Sequence, residues 1–122
     1  MAAKTILLVD DDPDQHETCG IYLQHLGYRV LSVMDGPAAV ALAEGVAVDL
    51  VLMDLHMPRE NGLESTRRLH ANPASAHVPV ILVTADAVRA KSLDRTALVD
   101  VITKPCPLLD LGARVREVIG DP

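Results

Sequence analysis

Apolar and polar positions fall in alternating blocks along this chain. Five runs of aliphatic and β-branched residues, Thr5 to Val9, Arg29 to Val33, Asp49 to Met53, Pro79 to Val83 and Asp100 to Thr103, have the length and make-up of strands. Between and after them, Pro13 to Leu26, Gly36 to Glu44, Gly62 to Ala71, Asp86 to Arg95 and Leu108 to Ile119 space their apolar residues as helices do. The pattern predicts five successive βα units. In the first helix, Asp12 fits the N-cap, Pro13 the first helical position and Gly27 the residue that ends the helix. Strands that are apolar on consecutive residues bury both faces, which calls for a parallel sheet covered by helices on each side through right-handed crossovers. The expected fold is one α/β domain, a three-layer sandwich spanning residues 1–122.

Composition narrows the picture. A chain of 122 residues leaves no room for a second domain of ordinary size, and 49% hydrophobic with 23% charged residues excludes disordered and fibrous classes. The strand-like apolar runs, such as Ile6 to Val9 and Leu50 to Met53, are far shorter than the roughly 20 residues that span a bilayer. Met1-Ala2-Ala3-Lys4 leads straight into an apolar run that ends in three aspartates, unlike a secretory signal, so a cytoplasmic location is expected. The net charge of -6 disfavours direct nucleic acid binding and anionic lipid, and favours basic partners or metal cations. Tyr22 and Tyr28 are the only aromatic residues, which argues against base-stacking platforms. Cys19 and Cys106 lack any zinc-type spacing and are expected to be buried, inert thiols. Scattered His16, His25, His70 and His77 give no zinc site either.

Chemistry collects where the predicted strands end. Asp10, Asp11 and Asp12 follow the first strand, Asp54 the third, Thr84 the fourth and Lys104 the fifth, all at the carboxyl edge where open parallel sheets bind ligands. Carboxylates gathered there repel one another unless a cation neutralises them, and Lys104 supplies one charge only. A hard divalent ion such as Mg²⁺ suits oxygen ligands of this kind. An aspartate can act as nucleophile toward phosphorus, with Mg²⁺, a lysine and a threonine hydroxyl stabilising the transferring group.

At these residues the chain resembles the response-regulator receiver domain, the phosphoacceptor module of two-component signalling. The likeness is carried by Ile6-Leu7-Leu8-Val9-Asp10-Asp11, by Asp54-Leu55-His56-Met57-Pro58 with Asn61-Gly62, by Val83-Thr84-Ala85 and by Thr103-Lys104-Pro105. It implies a flavodoxin-like sheet of order 2-1-3-4-5. It also implies Asp54 as phosphoacceptor and Asp10, Asp11 and Asp54 as the acids of a Mg²⁺ site, Asp10 acting mainly through metal-bound water. The backbone carbonyl of His56 would be a further ligand. Thr84 would bind the phosphoryl group, and Lys104 would pair with it after a cis peptide bond to Pro105. The implied partner is a histidine kinase or histidine phosphotransfer protein, and the domain is expected to be a monomer or weak dimer, not an enzyme. Asp12 is left as a helix cap, and His56 is expected to be a partly exposed loop residue.

Departures from the family pattern gather at one corner. Val101 stands where the family usually has Tyr or Phe, Cys106 follows Lys104-Pro105 in place of Phe, and Ala97-Leu98 replaces a frequent Gly-Ala. The stretch from Thr84 to Lys104 is about two residues shorter than usual, which predicts a contracted fourth helix or loop. These changes keep open a receiver-fold binding module that works without phosphorylation. A phosphatase-like enzyme would need a second acid where His56 lies. Lys104 is expected to pair with Asp54 at a largely exposed site, so that its loss costs roughly 0–1 kcal/mol of stability.

Overall fold

A computed structural model describes residues 3–122. Met1 and Ala2, which the single-domain expectation includes, lie outside the described residues. Strands β1 (Thr5–Val9), β2 (Arg29–Val33), β3 (Leu50–Asp54), β4 (Val80–Thr84) and β5 (Asp100–Thr103) alternate with helices α1 (Pro13–Leu26), α2 (Gly36–Gly45), α3 (Gly62–Ala71), α4 (Ala87–Ser92) and α5 (Leu108–Ile119). The sheet is wholly parallel, in the order β2-β1-β3-β4-β5.

Side-chain alternation along the strands builds two cores. Leu7 and Val9 of β1, Val51 and Met53 of β3, and Val80 and Leu82 of β4 pack with Ala39, Val40, Leu63 and Leu69 of α2 and α3. Ile6, Leu8, Leu50, Leu52 and Ile81 point the other way, onto Leu23 of α1 and Leu111 and Val115 of α5. Successive residues serve opposite faces, which is why the central strands are apolar at every position. Helix α1 starts and stops as its residues dictate: the Asp12 carboxylate accepts the Asp14 amide, Pro13 enters the first turn, and Gly27 adopts a left-handed φ of 111° that a side chain would strain.

Four elements differ in their bounds from the sequence expectation, α2 only in running one residue further, to Gly45. Strands β3 and β4 each begin and end one residue later, so Asp54 and Thr84 are the last residues of their strands rather than the first residues beyond them. Asp49 is taken up in closing the sheet's far end, its carboxylate accepting the Thr5 amide at 2.7 Å. Helix α4 is only six residues long and stops at Ser92 instead of Arg95. Beyond it, Leu93 is extended, Asp94 accepts the Thr96 amide in a local turn, and the Arg95 guanidinium caps the Ala90 carbonyl at 2.9 Å. That side-chain turn competes with helix continuation and ends α4.

Candidate functional site

Strand register assembles the site. Val9 of β1 pairs with Met53 of β3, so the next residue of each, Asp10 and Asp54, come side by side at the carboxyl edge. The alternation that sends Ile6, Leu8, Leu50 and Leu52 toward α1 and α5 continues to both aspartates. On the other side of β3, Asp54 pairs with Val83, and Thr84 pairs with Thr103, whose successor Lys104 donates its amide to the Thr84 carbonyl at 2.8 Å. The Lys104–Pro105 peptide bond is cis. Because the chain crosses from β1 to β2 on one side and to β3 on the other, the cleft opens where strand order reverses.

Asp10, Asp11 and Asp54 each offer a carboxylate oxygen within 4.8 Å of the others, the one such group of potential metal ligands among the described residues. Asp10 is buried, Asp54 half-buried and Asp11 exposed. Asp12 remains apart as the exposed cap of α1. Burial pushes the Asp54 carboxyl above its ordinary range; Lys104 draws it back, while Asp10 and, more weakly, Asp11 push it up again. Lys104 stands closer to Asp10 than to the expected partner: its Nζ donates to Asp10 Oδ2 at 2.9 Å and lies 3.7 Å from Asp54 Oδ1. Its side chain is only 17% exposed, which corrects the expectation of a largely exposed pair. Burial opposes the ammonium charge, yet the hydrogen bond and charge of Asp10, helped by Asp54, raise its pKa.

The loop after β3 is shaped by close backbone approach. The Gly62 amide donates to the Leu55 carbonyl at 2.8 Å, and a Cβ at Gly62 would lie 2.2 Å from the Asp54 carbonyl oxygen. Only glycine lets α3 begin so near the end of β3. Asn61 caps that helix through the Glu64 amide. Arg59, in the same loop, has a left-handed φ of 75°, rare for a residue with a side chain. His56 is more exposed than the partly exposed loop residue expected, and its Nε2 meets the Asp86 carboxylate at 2.9 Å across the mouth of the site. Thr84 is fully buried, and its Oγ1 accepts the Asp86 amide at 3.1 Å.

Two participants escaped the sequence reading. Asp86 bonds Thr84 locally, two residues back, and also meets His56 from the loop after β3, a contact between separate loops that no local pattern announces. His16 lies four residues before buried Gly20 and seven before Leu23, on the inner face of α1, and its Nε2 contacts the Asp10 carbonyl at 2.5 Å. A polar ring at an apolar helix position was the available signal. Cys19 and Cys106 are partly rather than fully buried; desolvation nonetheless raises both thiol pKa values.

Residues 6–116 match the family model of the response regulator receiver domain. The chain is 38% identical over 105 residues to Protein PilH of Pseudomonas aeruginosa, covering 82% of this chain and 84% of that one. It is 33% identical over 117 residues to the DNA-binding dual master transcriptional regulator RpaA of Synechocystis sp., covering 93% of this chain and 48% of the relative. The chain spans about half or less of the length of several such curated relatives. Among solved structures, the receiver domain of a sensor histidine kinase from Pseudomonas aeruginosa, with a magnesium ion coordinated in its active site cleft, superimposes with a TM-score of 0.89 at 34% identity, covering 98% of this chain and 100% of that one. No helix among the described residues is long and apolar enough to cross a membrane.

Proposed function

Because the chain belongs to the response regulator receiver domain family of two-component signalling, we propose that it is a Mg²⁺-dependent phosphoacceptor that takes a phosphoryl group from a phosphohistidine protein onto Asp54. The convergence of Asp10, Asp11 and Asp54 within 4.8 Å, beside Lys104 and Thr84, carries this reading. Three hard oxygen donors against one ammonium, with Asp54 raised by its burial and its acidic neighbours, fit a divalent ion that prefers carboxylate and water. Asp10, Asp11 and Asp54 would hold it, with the His56 carbonyl as a further ligand. When bound, Mg²⁺ supplies charge neutralisation for the transferring group.

The chain's own residues then divide the chemistry. An Asp54 oxygen attacks phosphorus, an O–P bond forms, and the P–N bond to the donor imidazole breaks with its electron pair returning to nitrogen. Lys104, held by Asp10 but 3.7 Å from Asp54, is placed to take a phosphoryl oxygen without leaving its buried partner. Thr84 must exchange its present acceptor role toward the Asp86 amide for donation to the phosphoryl group, which would draw the β4–α4 loop inward.

The donor is a histidine kinase or histidine phosphotransfer protein, and the chain serves in the cytoplasm as a relay intermediate or single-domain regulator, a monomer or weak dimer with no direct nucleic acid contact. Its turnover is confined to assisting its own phosphorylation and slow dephosphorylation. Incubation with Mg²⁺ and a small phosphodonor, followed by intact-mass measurement, tests the reading. One phosphate per chain, labile to hydroxylamine and absent from Asp54→Asn, is expected. An Asp54→Asn variant that gains the same label at the same rate would overturn it. Val101, which packs against the core without an aromatic ring, favours the alternative of a module that binds its partner regardless of phosphorylation; identical partner affinity with and without the phosphate would support that alternative.

A further inference from the structure

We infer that His16 is a positioning residue for the acidic pair Asp10 and Asp11, acting through the Asp10 carbonyl, an assignment that rests on the phosphoacceptor reading of the site. The Asp10 carbonyl can only accept, so its 2.5 Å contact with His16 Nε2 requires the proton on that nitrogen. The contact that ties α1 to the end of β1 is therefore an N–H donation from Nε2 to the Asp10 carbonyl. Nδ1 is buried and meets no partner among the described residues.

The contact reaches further than one carbonyl. Asp10 is the first residue beyond β1, where the sheet ladder stops, and its amide still bonds the Val33 carbonyl at 3.2 Å. With His16 holding the carbonyl, the peptide units on both sides of Asp10 are pinned. The second is planar and leads directly into Asp11. Orienting it therefore sets the direction from which Asp11 projects, while the Asp10 carboxylate is fixed by the Asp12 amide at 2.9 Å and by Lys104. One imidazole, presented by the inner face of α1 above Gly20 and Leu23, thus aims two of the three acids. Nδ1, without a partner among the described residues, is a buried polar atom left unsatisfied. An apolar residue at this position would avoid that cost and leave the Asp10 carbonyl without its donor.

Three measurements on the full chain test the assignment. In the metal-free parent, ring ¹⁵N shifts should show His16 protonated on Nε2; a bare Nε2 would overturn it. His16→Gln keeps an N–H donor at similar reach, whereas His16→Leu keeps bulk without one. Titration with Mg²⁺ should give His16→Leu about 10-fold weaker binding, with recovery in His16→Gln. The Asp12 amide, held by the Asp10 carboxylate, should exchange faster in metal-free His16→Leu than in His16→Gln. Equal Mg²⁺ affinity in the parent and His16→Leu would overturn the inference, as would equal losses in both variants. Asp11→Ala separates the two levels: if it binds Mg²⁺ like the parent, the metal reading fails, whereas if it alone loses binding, only the role of His16 fails.

Discussion

Lys104 donates to Asp10 at 2.9 Å and stands 3.7 Å from Asp54, so its ammonium is anchored on the more buried of the two acids and leans toward the other. On the proposed function, fold stability and phosphoryl transfer would share one side chain.

Removing that side chain should cost more than an exposed pair would. Lys104→Ala leaves the Asp10 carboxylate, 5% exposed, without its cation. Breaking a wholly buried pair costs ~3–5 kcal/mol; with Lys104 partly open to water, about 2 kcal/mol is expected. The lysine pKa is raised above 10.5, so the pair's contribution is fully present below that value and is lost as pH rises through the raised one. Denaturant unfolding of both proteins at neutral pH measures the loss. A difference below about 0.5 kcal/mol would return the pair to the exposed class.

Asp54→Asn should act in the opposite direction. Burial raises the Asp54 carboxyl above 3.8, so the folded chain holds its proton more tightly than the unfolded chain does. The cost of ionising it is absent below 3.8 and complete once pH exceeds the raised value. The metal-free variant should then be more stable near neutrality, on the order of 1 kcal/mol, and the gap should close as pH falls toward 3.8. Thermal melts across that window decide it, and equal melting at neutral pH would contradict the shift.

Gly62→Ala should disturb Asp54 without touching its carboxylate. The added methyl would stand 2.2 Å from the Asp54 carbonyl oxygen and 2.9 Å from the Met53 side chain, and the first of these is backbone that cannot swing away. Overpacking of this kind costs about 1–3 kcal/mol. Slower phosphorylation from a small donor should accompany it, because the end of β3 must shift. A variant as stable and as quickly phosphorylated as the parent would show that the loop relaxes freely.

The response to phosphorylation should stay near the site. A modification shifts an equilibrium only by its differential interaction with two states. Burial of a large ring supplies about 1.5–3 kcal/mol, but Val101 has a smaller apolar surface and few rotamers. Hydrogen exchange with and without a phosphoryl mimic should change from Thr84 to Ala87 and around His56. Large cooperative protection across residues 86–119, with dimerisation through that face, would show that the missing aromatic does not matter.

Local pattern alone determined much of this molecule. The strands are apolar on consecutive residues because helices cover both sheet faces, and the caps at Asp12 and Gly27 follow from side-chain and backbone chemistry within a few residues. The acids, Thr84 and Lys104 were legible because each ends a recognisable run. Tertiary structure decided what lies beside what. Placing β1 next to β3 brings Asp10 against Asp54, and closure of β5 onto β4 delivers Lys104 to Asp10 across 94 residues of chain. His16 beneath the acids, Asp86 against His56, and the need for glycine at Gly62 likewise arise from approaches between separate elements. Periodicity records which face of an element is buried; the identity of the group it meets there depends on register and packing, which are settled only when the sheet closes.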